Sequence, residues 1–453
     1  RGIMHKDIIC GLDIGSSSIR ALVMESVGSP RTKDTKENIL GFSQSPTKGF
    51  AKGVVTNLNL LSGEIEDTLS KVETLSHCKV RKVIANISGV HIRTFKSRGS
   101  VHISDRPSEI TTKDLKRCIE SAKLIGMSLD RKVLHLIAER FYIDDKIKID
   151  DPVGLFGSKL DIDLNIITSL VSILQNLTKA INLAGYEVED MIISGAGTAL
   201  AIFDHRELEE GAVIIDVGKD LMEASLFIDG KLQDCFYFPF GSDDLTTVLQ
   251  ESLRVMFEEA EELRVKYGIV IRKDQEIYDQ NQISIPSLKN KPGSGFKDTQ
   301  SVQNRMGGNW VDSKKVNTGT RSSKKKKRIN VISRRDISNL LFPKVEEIMQ
   351  DVYKKIGPFL RQRKNSPHVS VVGGLSKMDG FIEAIEEILG VPVEMARTRN
   401  AKDLHDASFA CCLGLARYEA RKRREKKPRY ISGTDTFAAR LISRIHALLS
   451  EYF

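Results

Sequence analysis

A chain that twice runs an apolar strand into Asp-x-Gly has few folds open to it. Here the device appears at Asp13-Ile14-Gly15, followed by Ser16, Ser17 and Ser18, and again far downstream at Asp216-Val217-Gly218. An Asp that closes a strand before Gly and small hydroxyl residues sets backbone N–H groups around a phosphate. Its carboxylate can face a hydrated magnesium ion. A tight hairpin holding no ligand can use the same residues, and repetition is what turns the balance toward binding. A third turn, Val371-Val372-Gly373-Gly374-Leu375, opens a strand into Gly-Gly, where a flat base can lie against bare backbone. One turn in each half and one late in the chain suit a nucleotide clasped between two lobes.

The rest of the pattern agrees with α/β architecture. At 453 residues the chain exceeds the roughly 250–300 that one core supports. Strands are expected over Ile8–Leu12, Ile19–Met24 and Ile39–Ser43, with a polar tip over Gly28–Glu37. Leu58, Leu61, Ile65, Leu69 and Val72 predict an amphipathic helix over Leu58–Leu75, and Val83–Ile87 reads as a strand. From Ser88 to about Asp163 short strands surround one helix, Thr112–Leu124, which marks an inserted subdomain. Leu164–Ile173 is expected to resume as a core strand, and Leu174–Ala184 to be a helix ended by Gly185. Val188–Ser194, Gly211–Val217 and Ala224–Ile228 read as buried strands, and Thr246–Tyr267 as one long helix ended by Gly268. Residues 286–328, rich in Gly, Ser, Asn and Lys, predict a disordered loop with Trp310 as its one large anchor. Ser338–Phe359 and Gly380–Leu389 are expected helices around a strand at Val369–Val372.

The net charge of +9 invites a nucleic-acid reading until its location is considered. It resides in Arg321–Arg328 (RSSKKKKR) and Glu419–Arg429 (EARKRREKKPR), whose combined excess is larger than the total. A nearly neutral body with two basic tethers does not predict a specific nucleic-acid partner. The six cysteines form no C-x-x-C pair and read as reduced thiols. No apolar run is long enough to span a bilayer, so the body is expected to stay in the cytoplasm. The chain opens on Arg1, so translation is expected to start at Met4 or upstream.

The order L-D-I-G-S-S, I-D-V-G, A-E-E-L-R-V-K-Y-G (Ala260–Gly268) and V-G-G-L resembles the actin, Hsp70 and sugar-kinase superfamily. The inserted piece is similar to that of the FtsA family. This rests on I-S-G-V-H-I at Ile87–Ile92, T-T-K-D-L near Lys113, R-K-V-L-H at Arg131–His135 and D-P-V-G-L-F-G at Asp151–Gly157. The resemblance implies an actin-like two-lobed ATPase fold with an FtsA-type insert. Its divisions fall at 1–87 and 164–205 for lobe one, 88–163 for the insert, 206–418 for lobe two, 419–435 for a basic flexible linker and 436–453 for a terminal helix.

For the site it implies ATP and Mg2+, with Asp13 facing the ion through water and Gly15, Ser16 and Ser17 forming the first phosphate turn. Asp216 and Gly218 form the second, Glu261 and Arg264 contact ribose and base, and Gly373 and Gly374 form the adenosine turn. Ser18 stands where the family usually has Lys, Lys219-Asp220-Leu221 replaces Gly-Gly-Thr, and Val248 replaces an Asp. These departures imply at most weak ATPase activity, with Arg20 or Lys219 as substitute cations. The resemblance further implies self-association into filaments and recruitment of later division proteins. It also implies capture of the acidic C-terminal tail of the tubulin-like protein FtsZ. Arg334, Arg335 and Lys344, beside Leu340, Leu341 and Phe342, offer the charge for that tail. A pilus-assembly actin-like protein, or a scaffold with a degenerate nucleotide site, is the alternative reading.

The terminal helix follows from periodicity itself. Phe437, Leu441, Ile445, Leu448 and Tyr452 recur at helical spacing, and Ile442, Leu449 and Phe453 widen the stripe. Such a face predicts a helix lying in an anionic membrane surface, and the resemblance implies the cytoplasmic side of the inner membrane at the division site. Each basic residue before it adds roughly 1 kcal/mol beside anionic lipid, and each buried Leu or Phe roughly 1.5–3 kcal/mol before ordering costs. Replacing Leu441 and Ile445 by Asp should release the protein from anionic liposomes while the body stays folded; undiminished flotation with the vesicles would rule the anchor out.

Overall fold

The computed structural model describes residues 5–28, 35–124, 128–272, 282–284, 331–362, 366–401, 404 and 407–426. The loop expected over 286–328 and the helix expected over 436–453, with Phe437, Leu441, Ile445, Leu448, Leu449 and Tyr452, lie outside the described residues.

β1 (His5–Ile14), β2 (Ser18–Gly28) and β3 (Thr35–Pro46) form an antiparallel meander. α1 (Leu58–Ser76) begins where the Asn57 side chain accepts the Leu60 N–H, and it buries Leu61, Ile65, Leu69 and Val72. It carries the chain across to β4 (Lys82–Ile87), which pairs parallel to β1. The insert follows. β5 (Arg93–His102), α2 (Thr112–Leu124), β6 (Arg131–Ile143), β7 (Ile147–Ile149) and β8 (Lys159–Leu170) give a separate antiparallel sheet in the order β7-β6-β8-β5. α2 closes its core with Leu115, Cys118, Ile119 and Ala122. α3 (Val171–Leu183) then leads to β9 (Glu187–Ile193), parallel to β4, and to α4 (Ser194–Ile202).

The second lobe repeats the plan of the first. β10 (Ala212–Val217), β11 (Met222–Ile228) and β12 (Lys231–Phe238) form the meander. α5 (Ser242–Leu253), α6 (Phe257–Tyr267) and α7 (Arg334–Gln362) lead to β13 (His368–Val372), parallel to β10. α8 (Phe381–Leu389) leads to β14 (Val393–Met395), parallel to β13, and α9 (Ala410–Lys426) follows. The sheet orders β9-β4-β1-β2-β3 and β12-β11-β10-β13-β14 share one topology read from opposite edges. In each, a hairpin precedes parallel strands that only helical crossovers can deliver.

α9 crosses back from lobe two onto lobe one. It passes β1 and α4 at backbone distance: a Cβ on Gly11 would overlap the Cys412 carbonyl, and one on Gly414 the Gly197 carbonyl. Apolar residues of both lobes and of α9, among them Ile9, Ile84, Ala212, Ile214 and Leu413, share one buried cluster around this crossing.

Four expectations are corrected. Leu164–Ile173 is not a new lobe strand. The alternation of Leu160, Ile162, Leu164 and Ile166 runs unbroken through β8 into the insert's core, and the chain is helical from Val171. Thr246–Tyr267 is two helices, broken where Arg254 turns left-handed at φ 57° and Glu259 caps the Met256 N–H to start α6. The tip expected over Gly28–Glu37 is shorter, because β2 reaches Gly28 and β3 starts at Thr35. Residues 419–426 are not a flexible strap but the end of α9. Lys422 pairs with Asp190, and Arg423 with Glu189 (2.7 Å) and Glu419 (2.8 Å), so these two cations are committed to the body. β12 and α4 were not anticipated.

Gly414→Ala should cost about 1–3 kcal/mol or more by forcing α9 off α4. Gly63→Ala on the exposed face of α1, where an added Cβ meets nothing, should instead be neutral or gain up to about 1 kcal/mol. Equal melting temperatures for both variants would refute the close-packing account.

Candidate functional site

The two hairpins put equivalent residues on either side of a cleft. Each turn closes on its own glycine: Gly15 N–H donates to the Ser18 carbonyl (3.2 Å), and Gly218 N–H to the Leu221 carbonyl (2.9 Å). Asp13 at the end of β1 lies opposite Arg20, and Asp216 at the end of β10 opposite Glu223. The cleft between them is lined by Gly15, Ser16, Asn86, Asp216, Gly218 and Asp220, among others, and encloses about 90 Å3. That is well under the roughly 300–1,000 Å3 of an ordinary small-molecule site. A roomier groove of about 440 Å3 runs along α3 past Lys132 and Leu183 and touches none of these residues.

Asp13 is buried and well held. Asn86 Nδ2 donates to its Oδ1 (2.6 Å), Arg20 Nη1 lies 3.6 Å from its Oδ2, and Asn86 Oδ1 in turn accepts the Ile14 N–H (2.7 Å). Burial raises the Asp13 carboxyl above its ordinary value, opposed by Arg20 and the hydrogen bonds. Asp216 has less support. Burial pushes it up to about 7, with the Glu223 and Asp13 carboxylates adding to the effect and only the charge of Arg20 opposing it. Glu223 is raised by burial as well, although it accepts from Ser225 Oγ (2.7 Å), Gly195 N–H (2.9 Å) and Ser88 Oγ (2.8 Å). Gly195 belongs to lobe one and Ser88 directly follows its strand β4, so Glu223 ties the lobes together behind the turns.

Converging carboxylates raised by burial are the environment that a divalent cation relieves. Among the described residues no group of three or more His, Cys, Asp or Glu has the placement to chelate an ion directly. A hydrated ion, keeping most of its waters as magnesium prefers, fits these residues better than a dry one.

The other expected residues fall as follows. Ser17 is exposed at the hairpin tip, its carbonyl taken by Thr47 N–H (3.1 Å). Gly373, at φ 94°, leans on Asp216: an added Cβ would sit 2.8 Å from Asp216 Oδ1, so only glycine fits there. Gly374 faces open space. Arg264 is buried on α6, donating to Thr246 Oγ1 (2.8 Å) and lying 3.7 Å from Glu261. Both charges act on Asp243 beside the second turn, which brings α6 to the cleft edge. Of the two substitute cations, Arg20 serves Asp13, and Lys219 lies 3.9 Å from Asp243.

On α7, Arg334 is held by Asp379 and the Tyr267 carbonyl, Lys344 pairs with Glu347 (2.8 Å), and Arg335 is exposed. The neighbouring apolar residues are not a presented surface: Leu341 is fully buried, and Leu340 and Phe342 pack partly buried on the lobe-two core. Asn86 and Glu223 went unnoticed in the sequence. Each is a polar residue within an apolar strand, which is the signal that could have found them.

Two family models match the chain, one described as the SHS2 domain inserted in FTSA over residues 89–168, the other as cell division protein FtsA over residues 213–414. Curated relatives bearing the name cell division protein FtsA include one from Pseudomonas aeruginosa, 25% identical over 94% of this chain and 93% of that protein. One from Borreliella burgdorferi is 26% identical over 99% and 100%. Among solved structures, a PilM-PilN type IV pilus biogenesis complex superposes with a TM-score of 0.57 at 14% identity, covering 91% of this chain and 98% of that one. MreB5 of Spiroplasma citri bound to ADP gives 0.50 at 11% identity, over 92% and 97%. Both likenesses are of fold, and the fold they share with this chain is actin-like.

The raised Asp216 carboxyl carries a pH signature. The folded protein keeps its proton to about pH 7 while the unfolded chain releases it in the ordinary carboxylate range, so native stability falls as pH rises through that window. Asp216→Asn, which has no proton to lose, should melt higher than the parent by roughly 2–5 °C at about pH 8, the gap shrinking toward about pH 5. A gap independent of pH would contradict the assignment.

Proposed function

This chain belongs to the FtsA family and is an actin-like cell-division protein, and on that premise we propose that it tethers the FtsZ ring to the cytoplasmic face of the membrane under the control of a bound nucleotide. The observation that carries the reading is the pairing of an FtsA-type insert with two equivalent Asp-x-Gly hairpins facing one cleft. In it ATP with a hydrated Mg2+ lies between the lobes. Gly15, Ser16, Ser17 and Gly218 face its phosphates, Asp13 and Asp216 its ion, and Glu261, Arg264, Gly373 and Gly374 its adenosine. The nucleotide would supply negative charge between the two hairpins; Asp13 and Asp216 would hold water around the ion. Few cations face the phosphates, which favours a tether with weak ATPase activity at most.

Membrane attachment runs through residues 436–453. No described helix is long and apolar enough to cross a membrane. Self-association into filaments and recruitment of later division proteins belong to the same reading. The FtsZ tail, acidic and C-terminal, is assigned to the start of α7, where Arg335 is exposed and Lys344 half-buried. Arg334, engaged by Asp379, serves to shape that surface. The PilM likeness favours a pilus-assembly reading on fold alone, whereas the matched insert model favours division.

Reversing Arg335 and Lys344 to Glu should weaken binding of an FtsZ tail peptide by about tenfold or more in fluorescence anisotropy, with stronger salt dependence in the parent than in the variant. Unchanged affinity would remove α7 as the docking site.

A further inference from the structure

We propose that Asp220 stands in the place of a terminal phosphate, so that the cleft takes a nucleoside diphosphate in preference to a triphosphate. The inference rests on the nucleotide reading above and concerns which nucleotide that site selects. Its basis is one contact across the cleft. Lys52 lies at the tip of a small lobe-one hairpin (Phe50–Ala51 with Val54–Val55), in a left-handed conformation at φ 50°. Its backbone N–H points over the cleft and donates to Asp220 Oδ2 of the second turn (2.9 Å). The hairpin is pinned from behind, because an added Cβ on Gly53 would run into the Ser88 carbonyl. This N–H is thus a fixed donor of the kind that phosphate-binding turns present, and a protein carboxylate already occupies it.

Two further features oppose a longer phosphate chain at this point. Asp220 lines the cleft, and its Oδ1 is buried without a hydrogen-bond partner, so the carboxylate stands beside the space between the turns with one oxygen unsatisfied. The cations that could offset it are directed elsewhere, Lys219 toward Asp243 and Arg20 toward Asp13. The first N–H of each turn is spent on closing the turn itself. A ligand whose phosphates end short of Asp220 leaves the Lys52 bridge intact. One that extends further must break the bridge and bring like charge against the carboxylate, in a space of about 90 Å3.

Calorimetric titration of the full chain with Mg-ADP and with Mg-ATP tests this, alongside Asp220→Gly and the near-isosteric Asp220→Asn, with thermal melts to verify folding. The parent should bind ADP about tenfold more tightly than ATP. Asp220→Gly should gain about tenfold for ATP and change less than about threefold for ADP. Asp220→Asn, which can still accept from Lys52 but carries no charge, should fall between. Equal affinities in the parent, or an ADP-to-ATP ratio unchanged in both variants, would overturn the role of Asp220 while leaving the nucleotide site standing. Failure of all three proteins to bind either nucleotide would overturn the site itself, and this inference with it.

Discussion

The molecule depends on a contact without side chains. Where α9 meets α4 and β1, Gly414 lies on Gly197 and Gly11 on the Cys412 carbonyl, so a helix that follows lobe two's last strand becomes part of lobe one's core. Close approach of this kind gains dispersion contact over the whole length of the helices and tolerates no added methyl group. Because β1 ends in the first hairpin turn, the same contact sets where Asp13 stands relative to the lobe that carries Asp216. The cleft geometry is therefore inherited from packing on its far side. Ion pairs then extend α9 along the β9 edge through Asp190 and Glu189.

Within the cleft, two equivalent hairpins have been given opposite electrostatics. The residue facing Asp13 is a cation and the residue facing Asp216 is an anion. The first turn is consequently the better supported charged site, with Arg20 and Asn86 partly offsetting the burial that still raises the Asp13 carboxyl. The second is held in tension: half-buried Asp216 lies opposite buried Glu223, and the donors gathered by Glu223 from Ser88, Gly195 and Ser225, with the charge of Arg20, reduce the cost only in part. An electrostatic environment of that kind responds to a cation far more than a neutral pocket would. It also explains why the lobes lie close together here, since Glu223 and Asp220 each take a donor from the opposite lobe.

Much of the architecture was legible because local rules and global packing agree. The strands at Val83–Ile87 and Ala224–Ile228 and the helix from Leu58 are apolar at the period of the structure they form, and the Asp-x-Gly ends mark their turns. Misreadings came where one periodicity hides a boundary. Leu160, Ile162, Leu164 and Ile166 keep one period on both sides of Asp163, so nothing in the sequence announces that β8 belongs wholly to the insert. The break between α5 and α6 is made at Arg254 by a left-handed residue with no glycine to advertise it. In the basic run after Glu419, composition suggested a loose strap, but helical phase lets Lys422 and Arg423 reach acids on a strand far away in sequence.

By itself, then, the sequence determined the α/β class, the two matching halves, the insert, the three turns and the apolar stripe at 437–453, since each is a short-range pattern of residue type and period. Tertiary structure alone decided what those turns face. That Asp216 would meet Glu223, that Asn86 would clamp Asp13, and that a backbone N–H at Lys52 would reach Asp220 are facts about strand pairing and packing, the last of them across the two lobes. No local periodicity encodes a distance across a cleft, and it is those distances that set the charge of the site.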